Sequence, residues 1–284
     1  SYYLMALPGV NKPIVTNRMI EICEDRGDAL AIIDLEDNFG PRPESTATTN
    51  GSVDAAVRTL KARNLNSSYA CAYYPWVRLK DTARGNNDVL MAPPSVAALG
   101  AMGRSQAVSE PWFAPAGFNR GGLSPLGGGD GPDVVGTWEH LTKDNRDSLY
   151  EANINPIARF PSTGDIVIFG QKTLQQTPSA LDRINVRRLM IFLKKQIGVI
   201  ADTILFDQNV EVTWNRFKAQ ANAVLGDVQT RLGITEYKLV LDKTTTTPDL
   251  VDRNILYAKI FVKPARAIEF IVVDFIITRS GVEF

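Results

Sequence analysis

The stretch AIEFIVVDFIITRSGVEF, residues 267–284, constrains the fold more than any other part of the chain. From Ile268 to Ile277 it is almost continuously apolar and rich in β-branched and aromatic side chains. Such a run marks a strand covered on both faces, because a half-exposed strand alternates apolar with polar residues. About twelve residues at about 3.3 Å each reach roughly 40 Å, about twice the common strand length. The other strand candidates are shorter, so part of this strand can lack a partner within its own chain. An unpaired apolar strand end invites aggregation unless another chain occupies it. The residues alone leave two readings open: a long central strand with an ordinary tail, or a joint to a second chain.

The preceding residues read as two halves. A helix is expected over 13–26, capped by Asn11 and stopped by Gly27. ALAIIDL (29–35) and SYACAYY (68–74) read as strands, joined through a helix that Ser52 starts and that ends near Arg63. That order implies a right-handed crossover and a parallel pair. Ser95 is placed to cap a small-residue helix over 96–104. Residues 110–135 are rich in Gly and Pro without helical or strand period, the composition of a surface loop or a connection between domains. Beyond them come a short helix over 141–150, a turn at Asn153-Ile154-Asn155-Pro156, and a strand over 165–169. Two amphipathic helices follow, over 182–206 and 210–232. The first carries Val186, Leu189, Met190, Leu193, Ile197, Ile200 and Ile204 on one stripe. Strands over 237–241 and 255–262 precede Pro264, which breaks the pairing. The expected fold is a parallel-type α/β domain over 1–138, followed by an α+β domain over 139–284. The second domain has long amphipathic helices against a mixed sheet and a long terminal strand.

Composition excludes several functions. The 284 residues carry balanced formal charge, which argues against a global nucleic-acid footprint. No apolar run approaches about 18 residues and no signal-peptide pattern opens the chain, so no direct membrane insertion is expected. Ser1 stands where a Met would open a complete chain, so a fragment or processed product is expected. Cys23 and Cys71 are the two cysteines and read as core residues in a reducing compartment. His140 is the single histidine, so imidazole pairs for metal or proton relay are lacking.

Four stretches could carry chemistry. Asp34, Glu36 and Asp37 follow a strand and could hold a cation or serve a hydrolase, although solvated turn carboxylates look the same. Gly127 to Asp133 (GGGDGPD) lacks the Lys-Ser/Thr of a nucleotide cradle and the Asp spacing of a calcium loop. Glu139-His140 has no nucleophile elbow beside it. Arg187, Arg188, Lys194 and Lys195 recur at a spacing of seven, off the apolar stripe. They could face an acidic partner or form a solvated helix face. No cofactor or metal is implied, and nothing here argues for an enzyme.

Six features in order carry a resemblance. They are Pro93-Pro94-Ser95 with its small-residue helix; Pro111-Trp112-Phe113-Ala114-Pro115-Ala116-Gly117; Asn153-Ile154-Asn155-Pro156-Ile157; Phe169-Gly170-Gln171-Lys172-Thr173-Leu174; Ile184-Asn185-Val186-Arg187-Arg188-Leu189; and the final strand with its TRSG turn. Together they resemble the contractile tail sheath proteins of bacteriophages. The family's more usual aromatic-Gly-Ala-Arg-Thr is here Phe169-Gly170-Gln171-Lys172-Thr173, and Lys172 keeps the charge without a planar bidentate contact.

The resemblance implies a middle domain of subtilisin-like fold over 1–138, without a matching triad, and an inner-wall domain over 139–284. The N-terminal arm and outer insertions usual in the family have no counterpart in the sequence. It implies a non-enzymatic subunit that polymerises helically around a tail tube and contracts to drive the tube through the host envelope. The same reading covers the sheath of a related injection system or phage-tail-like bacteriocin. Implied partners are other sheath subunits, the tube protein, and baseplate and tail terminator proteins. The implied location is the virion tail, assembled in the host cytoplasm. The inter-subunit arm would use Ile268, Phe270, Val272, Phe275, Ile277, Thr278, Arg279, Gly281 and Phe284, bending near Arg279-Ser280-Gly281. Arg187, Arg188, Lys194 and Lys195 are the candidates to face the tube.

Overall fold

The two continuous apolar runs form adjacent parallel strands, as their composition predicts. The computed structural model describes residues 3–35, 53–81, 88–123 and 133–272. In chain order the elements are β1 (Leu4–Ala6), α1 (Pro13–Arg26), β2 (Leu30–Ile33), α2 (Val53–Ala62), β3 (Ala70–Tyr74), β4 (Val77–Lys80), β5 (Val89–Ala92), α3 (Pro94–Val108) and α4 (Gly117–Arg120). They continue with β6 (Val134–Thr137), α5 (Lys143–Glu151), β7 (Ile154–Arg159), β8 (Ile166–Ile168), α6 (Ile184–Asp202), α7 (Glu211–Thr230), β9 (Ile234–Val240), α8 (Pro248–Asp252) and β10 (Lys259–Pro264).

A five-stranded sheet in the order β1-β2-β3-β7-β8 forms the centre. Its first four strands are parallel and β8 is antiparallel. Successive side chains of a strand point to opposite faces. Ala31 and Ile33 therefore join α1, α2 and α5 in one core cluster, while Leu30 and Ile32 join α3 and α6 in another. Helices cover both faces, which is why β2 and β3 read as unbroken apolar runs. Helix α1 spans the expected residues and ends on Gly27 at φ 62°, whose N–H reaches Cys23 O. Its cap position is Lys12 rather than Asn11, with Pro13 opening the first turn.

The structure departs from expectation in three places here. Residues 154–156 form part of β7, not a turn: Asn153, at φ 61°, makes the bend, and the chain then enters the sheet beside β3. The sheet thus draws strands from both sides of the expected division at 138/139. Strands β4, β5 and β6, absent from the sequence reading, form a separate antiparallel sheet in the order β5-β4-β6.

The C-terminal part is built on α6. The first half of this helix is covered twice, with Ile184 and Ile191 toward the five-stranded sheet and Leu189 and Leu193 toward α7 and β9. Its second half packs Ile197 and Ile200, with Ile204 just past its end, against Trp214 and Phe217 of α7. The expected mixed sheet is an antiparallel pair, β9 with β10. The register shifts between Lys263 and Pro264, and the last backbone bond is from Ala265 N to Gly233 O, 3.0 Å.

Candidate functional site at the root of the C-terminal arm

Beyond Ala265 the chain leaves the sheet. Residues 265–272 form no strand, and Ile268, Phe270, Ile271 and Val272 are 83%, 79%, 80% and 86% exposed. The expectation of a strand covered on both faces therefore fails for these residues. Pro264 offers no N–H, the pairing shifts at that point, and the two-stranded sheet supplies no further partner. Phe275, Ile277, Thr278, Arg279, Gly281 and Phe284 lie outside the described residues, as does the expected bend at Arg279-Ser280-Gly281.

One residue of this exposed run points inward. The Glu269 carboxylate accepts two bonds from the Arg183 guanidinium, Nε at 2.7 Å and Nη2 at 3.0 Å. It also accepts the Tyr150 hydroxyl at 2.9 Å and Gln171 Nε2 at 3.2 Å. The bidentate fork is the strong form of such a pair. Burial opposes ionisation of Glu269, but the Arg183 bonds and charge, with Tyr150 and Gln171, outweigh it and hold its pKa below the ordinary value. A lowered carboxyl pKa adds stability that is complete above the unfolded value and is lost as pH falls through the folded one. The contact therefore persists through neutral and mildly acidic pH. Burial, and next the Glu269 charge, raise the Tyr150 phenol.

The partners of Glu269 are placed by the segments that carried the resemblance. Asn155, fully buried, donates to Ala72 O at 3.1 Å and Lys172 O at 2.8 Å, and its Oδ1 accepts Lys172 N at 2.7 Å. Lys172 Nζ donates to Tyr150 O at 2.7 Å and lies 4.3 Å from the Tyr150 ring centre. Lys172 thus acts locally, fixing Tyr150. Gln171 O accepts Ile184 N at 2.8 Å, tying the segment to the start of α6. At Gly170 an added Cβ would lie 3.0 Å from Asn155 Oδ1 and from Pro156 Cδ, a tight fit that favours glycine. Trp112 is buried against Phe192, ring centres 5.3 Å apart, and donates to Arg231 O at 2.9 Å. Between these segments and residues 265–270 lies a groove of about 750 Å³, lined by Trp112, Phe113, Arg146, Tyr150 and Phe169 among others.

The basic residues on α6 are placed differently from expectation. Arg187 is buried, donates to the Ser68 hydroxyl and lies 3.9 Å from the Tyr69 ring centre. Arg188 is 3% exposed and donates to Gln106 Oε1 at 3.0 Å; burial lowers its pKa to about 10. Neither can face a tube from this position, because this half of α6 is covered on two sides. Lys194 Nζ reaches Arg26 O at 2.9 Å, and Lys195 lies 3.8 Å from Asp28 and 4.1 Å from the Tyr3 ring centre.

Asp34 is committed to packing. Its carboxylate, 1% exposed, accepts Gly9 N at 2.8 Å, Ser95 N at 3.1 Å and Ser95 Oγ at 2.8 Å. It sits at the first turn of α3, where a negative group is favoured. The Ser95 side chain therefore bonds to Asp34, and the cap position of α3 is Pro93. Burial raises the Asp34 pKa, opposed by the Gly9 and Ser95 bonds. Glu36, Asp37 and residues 127–132 lie outside the described residues. Glu139 takes the Tyr74 hydroxyl, and His140 is exposed. Cys23 and Cys71 are free and buried, and burial pushes their thiols up to about 11 and about 12. Among the described residues no group of three His, Cys, Asp or Glu could hold a metal, and no helix is long and apolar enough to cross a membrane.

Sequence reasoning missed Glu269 and Arg183. The available signal was a carboxylate inside an apolar run, one of two there with Asp274, which a covered strand would not tolerate without a cation.

Residues 176–278 match the family model of the phage tail sheath C-terminal domain. The chain is 40% identical over 177 residues to the tail sheath protein of Vibrio phage KVP40, covering 62% of this chain and 25% of that protein. It is 33% identical over 225 residues to the tail sheath protein of Enterobacteria phage T4, covering 78% of this chain and 32% of that protein. The chain thus spans a quarter to a third of these relatives. In fold it is similar to a chain of the PVC extracellular contractile injection system sheath in the contracted state, with TM-score 0.75, 22% identity, and 97% and 71% of the two chains covered. A chain of the anti-feeding prophage baseplate gives TM-score 0.74 at 20% identity, covering 98% and 69%. Over most of its length the chain is thus similar in sequence to phage tail sheath proteins, its residues 176–278 match the C-terminal domain of that family, and its mixed α/β fold is that of solved sheath chains.

Proposed function

We propose that this chain is the polymerising part of a contractile phage tail sheath subunit, with no catalytic role. Copies join helically around a tail tube, and contraction of the array drives the tube through the host envelope. The single observation that carries the reading is the exposed apolar arm, anchored at Glu269, on a chain similar to tail sheath proteins. Four large apolar side chains in water are a liability in a lone molecule and a joint in a polymer. Strand addition to a neighbour's sheet is the economical way to bury them. Such contacts are heterologous and do not close, so they build a helical array.

Identity of 40% and 33% to two phage sheaths, against fold likeness alone to the injection systems, favours the phage tail. In this reading the tube, the baseplate and a tail terminator are partners, and the virion tail is the location, after assembly in the host cytoplasm. In this reading we put the boundary between the two parts between Thr173 and Ile184, after the last strand of the five-stranded sheet and at the start of α6. The domain match starting at residue 176 supports that placement.

The test is electron microscopy of the protein mixed with a tail tube, with and without truncation after Pro264. The intact protein is expected to give striated cylinders, and the truncated one to stay soluble and unpolymerised. Normal cylinders from the truncated protein would defeat the arm-joint reading.

A further inference from the structure

The geometry points to Glu269 as the positioning residue that fixes the root of the arm, so that the arm pivots immediately after it, at 270–272. The inference rests on the sheath reading and goes beyond it by saying which part of the arm moves. Two ties hold the root: Ala265 N on Gly233 O, and the Glu269 carboxylate on Arg183, Tyr150 and Gln171. Only three residues separate them, too short a span for the root to swing. Ile268, Phe270, Ile271 and Val272 are all exposed, so Glu269 alone is directed into the chain.

The three side chains that hold it come from different places: the end of α5, the segment after β8, and the residue before α6. The carboxylate therefore ties the arm both to the five-stranded-sheet part and to the N-terminal end of α6. A pull on the arm by a neighbouring copy passes through Glu269 into that junction, and the first residues past both ties are 270–272. A charged fork suits this role, because bidentate geometry sets direction as well as holding. On this view the contact stays closed during strand exchange, and the pivot lies well before Arg279-Ser280-Gly281.

Two readouts test it on the whole chain. Arg266 lies between the two ties and is exposed, so trypsin reports whether the root is held. Glu269→Ala is expected to speed cleavage after Arg266 by at least about tenfold, more than in a variant destabilised to the same melting temperature at a site away from the arm, and Tyr150→Phe to give a smaller increase. Equal cleavage of wild type and Glu269→Ala would overturn the proposal. In sheath assembly, Glu269→Ala is expected to raise the protein concentration needed for polymer by about tenfold. An unchanged or lowered threshold would also overturn it, the latter because the contact would then have to open before exchange. If wild type forms no polymer, the sheath reading fails, while the trypsin comparison still decides whether Glu269 holds the root.

Discussion

Phe270→Ser separates the energetics of the arm from those of the fold. Phe270 is 79% exposed, so the monomer gains almost nothing from its ring. Surface substitutions of this kind change stability by less than about 0.5 kcal/mol. In a joint between copies the ring counts. Burying Ile268, Phe270, Ile271 and Val272 contributes about 1.5–3 kcal/mol each, or roughly 6–12 kcal/mol gross. Ordering the backbone of residues 270–272, beyond the held root, costs roughly 3–6 kcal/mol and fixing the four side chains about 0.5–1 kcal/mol each, which together offset most of that gain. Ladder hydrogen bonds return about 0.5–1.5 kcal/mol apiece. The net strength of the joint is therefore small beside the burial and ordering energies that oppose each other in it. Losing one aromatic ring, about 2–3 kcal/mol, should raise the polymerisation threshold roughly 30- to 150-fold. Sedimentation across a concentration series reads the threshold, and urea denaturation reads the monomer. A fall in monomer stability of about 2 kcal/mol with an unchanged threshold would show that Phe270 packs at home, and would refute the reasoning.

Two further substitutions test the placement of charges. Asp34→Ala removes three hydrogen bonds to a buried carboxylate and should cost about 2–4 kcal/mol, read by thermal or urea unfolding; a loss under about 0.5 kcal/mol would mean the carboxylate is not needed for packing α3. Arg188→Met keeps the volume and removes a buried cation, so stability should hold or rise, whereas Arg188→Ala should cost about 2–5 kcal/mol through the cavity it leaves; a large loss with Met would show that the charge itself is required.

What could be read from the sequence follows from where each segment's partners lie. Strands β2 and β3 and the helices beside them were legible because covered parallel strands are apolar throughout, and their partners are near in sequence. Strand β7 was not, because Asn153, Asn155 and Pro156 carry turn chemistry. Only the fold reveals that Asn155 is spent on bonding Ala72 and Lys172. Arg187 and Arg188 were misplaced for a related reason. Their spacing put them off one apolar stripe, and periodicity along one helix cannot show that a second body covers its other side. The resemblance located the segments around Glu269 without giving their purpose, since their partner lies about a hundred residues away in the arm.

The arm and the small sheet pose complementary problems. Strands β9 and β10 have one neighbour each among the described residues, so the edges of this sheet stay open although α6 and α7 cover one face. Phe261 on β10 is 56% exposed, so the far face of this sheet is not fully covered either. Residues 266–272 have apolar side chains and backbone groups with no ladder, and among the described residues the sheet has free edges. Joining them within one copy would require the arm to fold back across Pro264, and Glu269 holds its root toward Tyr150 and Arg183 instead. Joining them between copies satisfies both at once and leaves each new copy with the same two needs. Such a head-to-tail contact propagates as a helix wherever the rotation between copies does not close a ring, which is what the proposed sheath role requires.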